Sequence, residues 1–268
     1  MKKAYVTTLT HGDAYAPGVE ALGRSLRATT AEPMVLMVTE DVPRHARNRL
    51  ASQGWTLHEI QPVKNPTPAH EQLFPRFDKV FTKLRAWELD GFDKVVLLDA
   101  DMVVLQSLDD LFDRPELAAA PDFLRPDHFN SGLMVLEPSR PKLARMLEAL
   151  AEAPSYDGGD QGFLNSFFGD WYTGPGDRRL ATWYNLPNFI YQFMHGHPSL
   201  RGELEREARI VHYLVQKPWE SPTTVTGGSE LWWNAYMGVH PELDAGWKRQ
   251  LHAIEDSSFD RAVAAFMG

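Results

Sequence analysis

The chain has 268 residues, 43% of them hydrophobic, and 27 Lys and Arg against 36 Asp and Glu give a formal charge of −9. That apolar share supports one full-sized core, and the acidic balance excludes the clustered basic surface that a nucleic-acid backbone or an anionic membrane requires. Without cysteine there are no disulfides or thiolate metal sites, and no stretch has the length and apolarity of a signal peptide or a membrane helix, so a soluble cytoplasmic protein with neither nucleic-acid nor membrane partners is expected.

In chain order, KAYVTTLT (3–10) predicts a strand and GDAYAPGVEALGRSLRAT (12–29) a loop and a helix. PMVLMVTEDV (33–42) predicts a second strand, PRHARNRLASQG (43–54) a second helix and WTLHEIQPV (55–63) a third strand. A Pro-rich loop (64–76) leads into a helix over 77–89, then into KVVLLDADMVVL (94–105), whose branched aliphatic residues predict a strand buried on both faces. This alternation implies crossover connections and a mostly parallel sheet, with ligands beyond the carboxyl ends of the strands.

Further along, LDDLFDRP (108–115) predicts a short helix, AAAPD (118–122) a short strand, FNSGLMVLEP (129–138) a longer one, and PKLARMLEALAEA (141–153) an amphipathic helix. YDGGDQGFLNSFFGDW (156–171) is a glycine-rich turn entering a helix, ATWYNLPNFIYQFM (181–194) is aromatic-rich, and RIVHYLVQKPW (209–219) is a strand with a Pro-stopped loop. The tail from 229 to 268 carries a rough helical stripe of Leu251, Ile254, Phe259, Ala262 and Phe266. With no internal repeat or linker, one domain is expected.

Asp99 and Asp101 stand two apart near the end of the buried run, so in an extended chain both carboxylates, with small Ala100 between, aim to one side. Like charges that close repel unless a cation neutralises them. A divalent metal held by two carboxylates keeps open positions for phosphate oxygens; the alternative is that the strand has already ended and both groups are solvated or cap a helix. A P-loop and a dinucleotide fingerprint are absent, and an aspartyl phosphohydrolase would carry its D-x-D after the first strand. His212 is a candidate third ligand or a satisfied core histidine, and Lys217 a candidate diphosphate clamp. Mixed oxygen and nitrogen ligation suits Mn²⁺ at least as well as Mg²⁺.

Five stretches together resemble glycosyltransferase family 8, the retaining nucleotide-sugar enzymes that include glycogenin and galactinol synthase. They are VTTLTHGDAYAPGVEALGRSL, TKLRAWEL with KVVLLDADMVV, LDDLFDRPELAAAPD, FNSGLMVLEPS with YDGGDQGFLNSFF, and VHYLVQKPW. The resemblance implies an α/β fold of the GT-A type, Rossmann-like, with residues 1–125 mainly binding nucleotide, 126–225 mainly sugar and acceptor, and 226–268 a helical tail. It implies Asp99, Asp101 and His212 as metal ligands, and Leu9, Thr10 and Tyr15 around uracil and ribose. Arg76, Lys83, Ala100, Asn130, Ser131 and Gly132 are implied as donor contacts, Asp157, Asp160 and Gln161 as the donor-sugar site, and Lys217 on the diphosphate. Asp160 and Gln161 are the residues implied in catalysis, including as a nucleophile position should a covalent intermediate form. Tyr15 is also explained by helix-entry packing, and Asn130 and Asp157 by turn formation. Against the glycogenin pattern, the gap between His212 and Lys217 is shorter and lacks glycine, and His11 and Gly12 replace Thr and Asn.

The partners so implied are UDP-glucose or UDP-galactose and a small polyol or saccharide acceptor, with a homodimer as the assembly the reading allows. Trp171, Trp183, Tyr184, Trp232 and Trp233 are candidate acceptor-stacking residues, some of them core. Two other readings stand beside this one: self-glucosylation on Tyr191, and a non-catalytic nucleotide-sugar binding module.

Overall fold

The computed structural model describes residues 1–66, 78–152, 155–214, 216–220 and 228–239. Its main sheet has six strands in the order β3-β2-β1-β4-β7-β6: β1 Lys3–Leu9, β2 Met34–Val38, β3 Trp55–Glu59, β4 Lys94–Leu98, β6 Ala118–Pro121 and β7 Phe129–Leu136. The first four are parallel, while β7 runs antiparallel to β4, and β6 to β7.

The apolar runs read as strands because their two faces feed two different cores. In β1, Tyr5 and Leu9 join one cluster and Ala4 and Val6 the other; in β4, Val96 and Leu98 oppose Val95 and Leu97. Helices α1 (Ala16–Arg27) and α2 (Arg44–Ser52) cover the first face with Leu22, Leu26 and Leu50. The second face is covered by a 3₁₀ segment Val80–Glu88 with Leu84 and Trp87, by α3 (Arg140–Ala149) with Leu143, and by α4 (Asp160–Phe167) with Phe163. Each fully buried side chain of this kind contributes roughly 1.5–3 kcal/mol, so the double cover fixes the sheet firmly.

A second, three-stranded sheet decides the site. The apolar run 94–105 is not one strand, as its composition predicts, but two: β4 ends at Leu98, a turn takes residues 99–101, and β5 (Met102–Val104) enters the other sheet. There β5 pairs antiparallel with β9 (Ile210–His212), which pairs parallel with β8 (Leu186–Pro187). Asp99 and Asp101 therefore do not share a strand face; they sit in the turn between two sheets. Helices α5 (Asn188–Gly196), α6 (Pro198–Glu207) and α7 (Ser229–Val239) complete the described elements. The helix expected over 77–89 is the 3₁₀ segment, and α7 is the described part of the expected helical tail; residues 240–268 lie outside the described residues. No helix among the described residues is long and apolar enough to cross a membrane.

Candidate active site

Sheet register assembles the site. Asp99 N donates to Gly132 O of β7 at 2.8 Å, and Tyr213 N donates to Asp101 O at 2.9 Å, so each end of the turn is tied to a different sheet. Met102 pairs with His212 across β5 and β9, bringing the imidazole beside the neighbouring Asp101. Glycines permit the approach. A Cβ on Gly132 would lie 2.5 Å from His212 Cε1, and one on Gly18 of α1 would lie 2.5 Å from Ala100 O.

One ligand atom from each of Asp99, Asp101 and His212 lies within 4.8 Å of the others. Asp101 Oδ1 is 3.2 Å from His212 Nε2, yet it is buried and among the described residues no donor meets it in hydrogen-bonding geometry. A buried carboxylate oxygen left in that state is costly. Two carboxylates and an imidazole around an unsatisfied oxygen fit a divalent cation.

The tautomer of His212 follows from a relay of side-chain amides. The Asp122 carboxylate can only accept, so Gln161 donates through Nε2 (3.2 Å) and its Oε1 accepts from Asn130 Nδ2 (2.9 Å) and Ser131 N (3.3 Å). Asn130 Oδ1 then accepts from Gly132 N (3.0 Å) and Asn185 Nδ2 (2.8 Å). That leaves Asn185 Oδ1 facing His212 Nδ1 at 2.8 Å as an acceptor. His212 Nδ1 therefore carries a proton, and Nε2 is the ring atom that faces Asp101. Buried Asn185, just before β8, is a site residue that the sequence reading missed; nothing in the local sequence marks it before the fold is known.

Two lysines, Lys217 buried and Lys83 largely so, balance the acids. Lys217 Nζ reaches Asp101 Oδ2 at 2.5 Å and Tyr213 O at 2.6 Å. Burial would push the Lys217 ammonium down, but the Asp101 carboxylate holds it above its ordinary value. Burial would likewise raise Asp101, and Lys217 and His212 hold it well below the carboxylate range. Opposite, Lys83 of the 3₁₀ segment lies 2.8 Å from Asp99 Oδ1 and 2.9 Å from Asp160 Oδ2. Burial works against its charge, and the carboxylates of Asp160 and Asp99 overcome that and raise it. Asp160 Oδ2 also accepts from Ser131 Oγ at 2.7 Å.

These groups line a cleft of about 580 Å³ at the carboxyl ends of β1 and β4, within the usual size range of small-molecule sites. Of the residues singled out in the sequence, Thr10, Tyr15, Lys83, Asp99, Ala100, Asp101, Asn130, Ser131, Gly132, Asp157, Asp160, Gln161, His212 and Lys217 all line it. Leu9 does not: its side chain is fully buried in the first core cluster because it ends β1 on an inward position. Arg76 lies outside the described residues. Tyr15 lines the cleft with its ring edge-on to Trp219 at 5.4 Å. Asp157 Oδ1 accepts from Gly159 N, Gly162 N and Ser155 Oγ, so it builds the turn that opens α4.

The sequence reading also passed over Thr8, whose buried Oγ1 has no described partner, and Lys79, both of which line the cleft. His11 lines it too, as a residue that left the glycogenin pattern, and adopts φ +59° ahead of Gly12 at +77°. The aromatic candidates fare differently. Trp171 and Trp232 are core, and Trp183, Tyr184 and Trp233 are not among the lining residues.

Comparison with known proteins adds a lineage to this geometry. The sequence profile of glycosyl transferase family 8 matches residues 6–223. The chain belongs to that family. Human glycogenin-1 is 37% identical over 255 residues, covering 87% of this chain and 71% of that protein. The inositol phosphorylceramide glucuronosyltransferase 1 of Arabidopsis thaliana is 32% identical over 256 residues, 88% of this chain and 44% of its own. Among solved structures, apo GlyE of Streptococcus pneumoniae superposes with a TM-score of 0.63 at 24% identity, over 96% of this chain and 64% of that one. The galactosyltransferase LgtC, solved with donor and acceptor sugar analogues, gives 0.62 at 19% over 92% and 100%. The fold is thus GT-A, the chain is a retaining glycosyltransferase of family 8, and the Asp99–Asp101–His212 group is where its described residues offer a place for a divalent ion.

Proposed function

We propose that this family 8 chain transfers glucose or galactose from a UDP-sugar to an external polyol or saccharide, with Mn²⁺ as the cation and Mg²⁺ as its substitute. The observation that carries the reading is the convergence in one cleft of Asp99, Asp101 and His212 with Lys217, and of Asp160 and Gln161 beside them, Asp160 being bridged to Asp99 by Lys83. A bound divalent ion supplies positive charge where the departing diphosphate gains negative charge.

Lys217 adds a second cation for that diphosphate, held in place by Asp101 and the Tyr213 carbonyl. Asp160, fixed by Ser131 and Lys83, presents a carboxylate to the sugar ring as it becomes cationic. The bond from the anomeric carbon to the phosphate oxygen breaks, and a bond from the acceptor oxygen forms on the same face. The acceptor proton passes to the departing phosphate oxygen, and UDP leaves. The uronate donor named for the plant glucuronosyltransferase is disfavoured here, because Lys83 is already neutralised by Asp99 and Asp160, and Asp157 adds a further carboxylate to the cleft lining.

The likeness to glycogenin keeps self-glucosylation in view. Tyr191 is half-buried in α5, stacks on His195 and is absent from the cleft lining, so its hydroxyl would have to enter the cleft of a second copy. The cysteine-free composition fits the cytoplasm. A donor-by-acceptor screen with Mn²⁺, following UDP release and intact protein mass together, tests the proposal. Transfer to an added polyol or saccharide with unchanged protein mass is expected. Hexose increments on the protein itself would favour Tyr191, and UDP binding without any turnover would mean a non-catalytic module.

A further inference from the structure

The loop between β6 and β7 carries apolar side chains where polar ones would be expected. Phe123 is 48% exposed and Leu124 84% exposed. Asp122 explains how they are held there. Its Oδ1 accepts from the backbone N–H groups of Leu124 (2.9 Å) and Arg125 (3.1 Å), folding the loop into a tight turn that projects both side chains. Its Oδ2 simultaneously accepts from Gln161, at the sugar end of the cleft. The exposed ring is thus one residue from the carboxylate that orients the site's amide relay.

Phe123 does not stand alone. Its ring packs edge-on against Phe189 of α5 at 5.3 Å, and Phe189 is itself 41% exposed. One helical turn on, at the i+4 position, Phe193 is 54% exposed. These three rings form a ridge that begins beside Asp122, whose partner Gln161 lines the cleft, and runs along α5. The neighbouring Tyr156 is tied to the amide relay instead: its hydroxyl accepts from Gln161 Nε2 at 3.1 Å and the Arg125 guanidinium covers its ring.

A contiguous exposed aromatic ridge is often functional, as a seat for a ligand or a partner. Area decides between them. At about half exposure, the three rings offer roughly 300 Å², and Leu124 does not bring the total near the about 800 Å² per partner that a stable protein interface buries. Stiff rings with a polar rim suit a flat, apolar-faced, hydroxylated ligand lying along them. Asp122 beside the ridge and the net charge of −9 disfavour an anionic ligand, and flat rings with no carboxylate among them stack on an uncharged one.

We propose that Phe123, Phe189 and Phe193 form an acceptor platform that seats more than one sugar ring of a neutral saccharide chain, with the reacting hydroxyl toward Gln161 and Asp160. This rests on the glycosyltransferase reading above and narrows its acceptor from polyol or saccharide to an oligosaccharide.

The test uses unbranched malto- and xylo-oligosaccharides of one to six units with the wild-type chain and the variants Phe123→Ala, Phe189→Ala and Phe193→Ala. Acceptor KM should fall with chain length in the wild type, and each variant should raise it roughly 3- to 10-fold while leaving kcat near the wild-type value. Saturation-transfer NMR of the same oligosaccharides, recorded without donor, should lose signal in the variants. That measurement needs no turnover, so a chain without transferase activity overturns the functional proposal while the platform is still judged. A KM independent of chain length, unchanged saccharide binding in all three variants, or a wild-type dimer that the variants convert to monomer would each overturn the platform.

Discussion

At the residue scale the site is a set of buried charges that neutralise one another. Asp101→Asn leaves Lys217 buried against a neutral amide, and breaking such a pair costs roughly 3 kcal/mol. Calorimetry should show a melting temperature lowered by several degrees, and isothermal titration should show Mn²⁺ binding abolished. Asn185→Ala tests the relay differently. It touches no proposed ligand atom of Asp99 or Asp101, but it frees His212 Nδ1, and loss of a group that orients a metal-binding imidazole typically lowers metal affinity 10- to 100-fold. Titration of Mn²⁺ into the variant measures that loss. The aspartates and His212 were legible from spacing and resemblance. Asn185 was not, because a turn-forming Asn looks the same in sequence whether or not it aligns a histidine.

At the scale of elements, α1 and the 99–101 turn are in contact through a missing side chain. Ala in place of Gly inside a helix ordinarily stabilises by about 1 kcal/mol. At Gly18 the sign reverses, because the new Cβ would lie 2.5 Å from a backbone oxygen of the turn; the crowding costs roughly 1–3 kcal/mol. Thermal melts of Gly18→Ala should show the loss, with weaker UDP binding beside it.

The cleft wall has an acid-sensitive tie of its own. Asp41 is pushed up by burial, but hydrogen bonds from Lys79 and Thr39 win and bring it down to about 2. Its folded value lies below the unfolded one, so its stabilising contribution is complete above about pH 4 and is lost as pH falls toward 2. The group is partly exposed, so the effect is small. Melting temperature followed from pH 6 to pH 2 should fall less steeply in Asp41→Asn. Sequence periodicity found β1 to β3, α1 and α2 because one hydrophobic pattern served each element throughout. It merged β4 and β5 because both are apolar, and apolarity carries no mark of the point where a chain changes sheets.

At the scale of the molecule, the site is the seam between two sheets. β4 delivers Asp99, β5 begins beside Asp101, and β9 brings His212 from more than a hundred residues away. A cation shared by these three would bind only the folded chain and so stabilise it, by about 2.7 kcal/mol at a hundredfold excess over Kd. Scanning calorimetry should show melting raised by Mn²⁺ and restored by chelator, with no shift in Asp99→Asn/Asp101→Asn.

What the sequence determined by itself was a set of patterns: two spaced carboxylates behind an apolar run, a Gly-rich turn with Asp160, and an alternation of elements that makes a mostly parallel sheet, with His212 and Lys217 marked only by the family resemblance. Those are local patterns, and local patterns survive in one dimension. Tertiary structure alone decided that the aspartates sit in a turn rather than on a strand and that Leu9 faces the core. It also decided that Asp122, Gln161, Asn130 and Asn185 form one line of hydrogen bonds ending at His212. The reason is that strand register and side-chain contact depend on which distant segments pair, and pairing is set by the burial of both faces of the sheet at once.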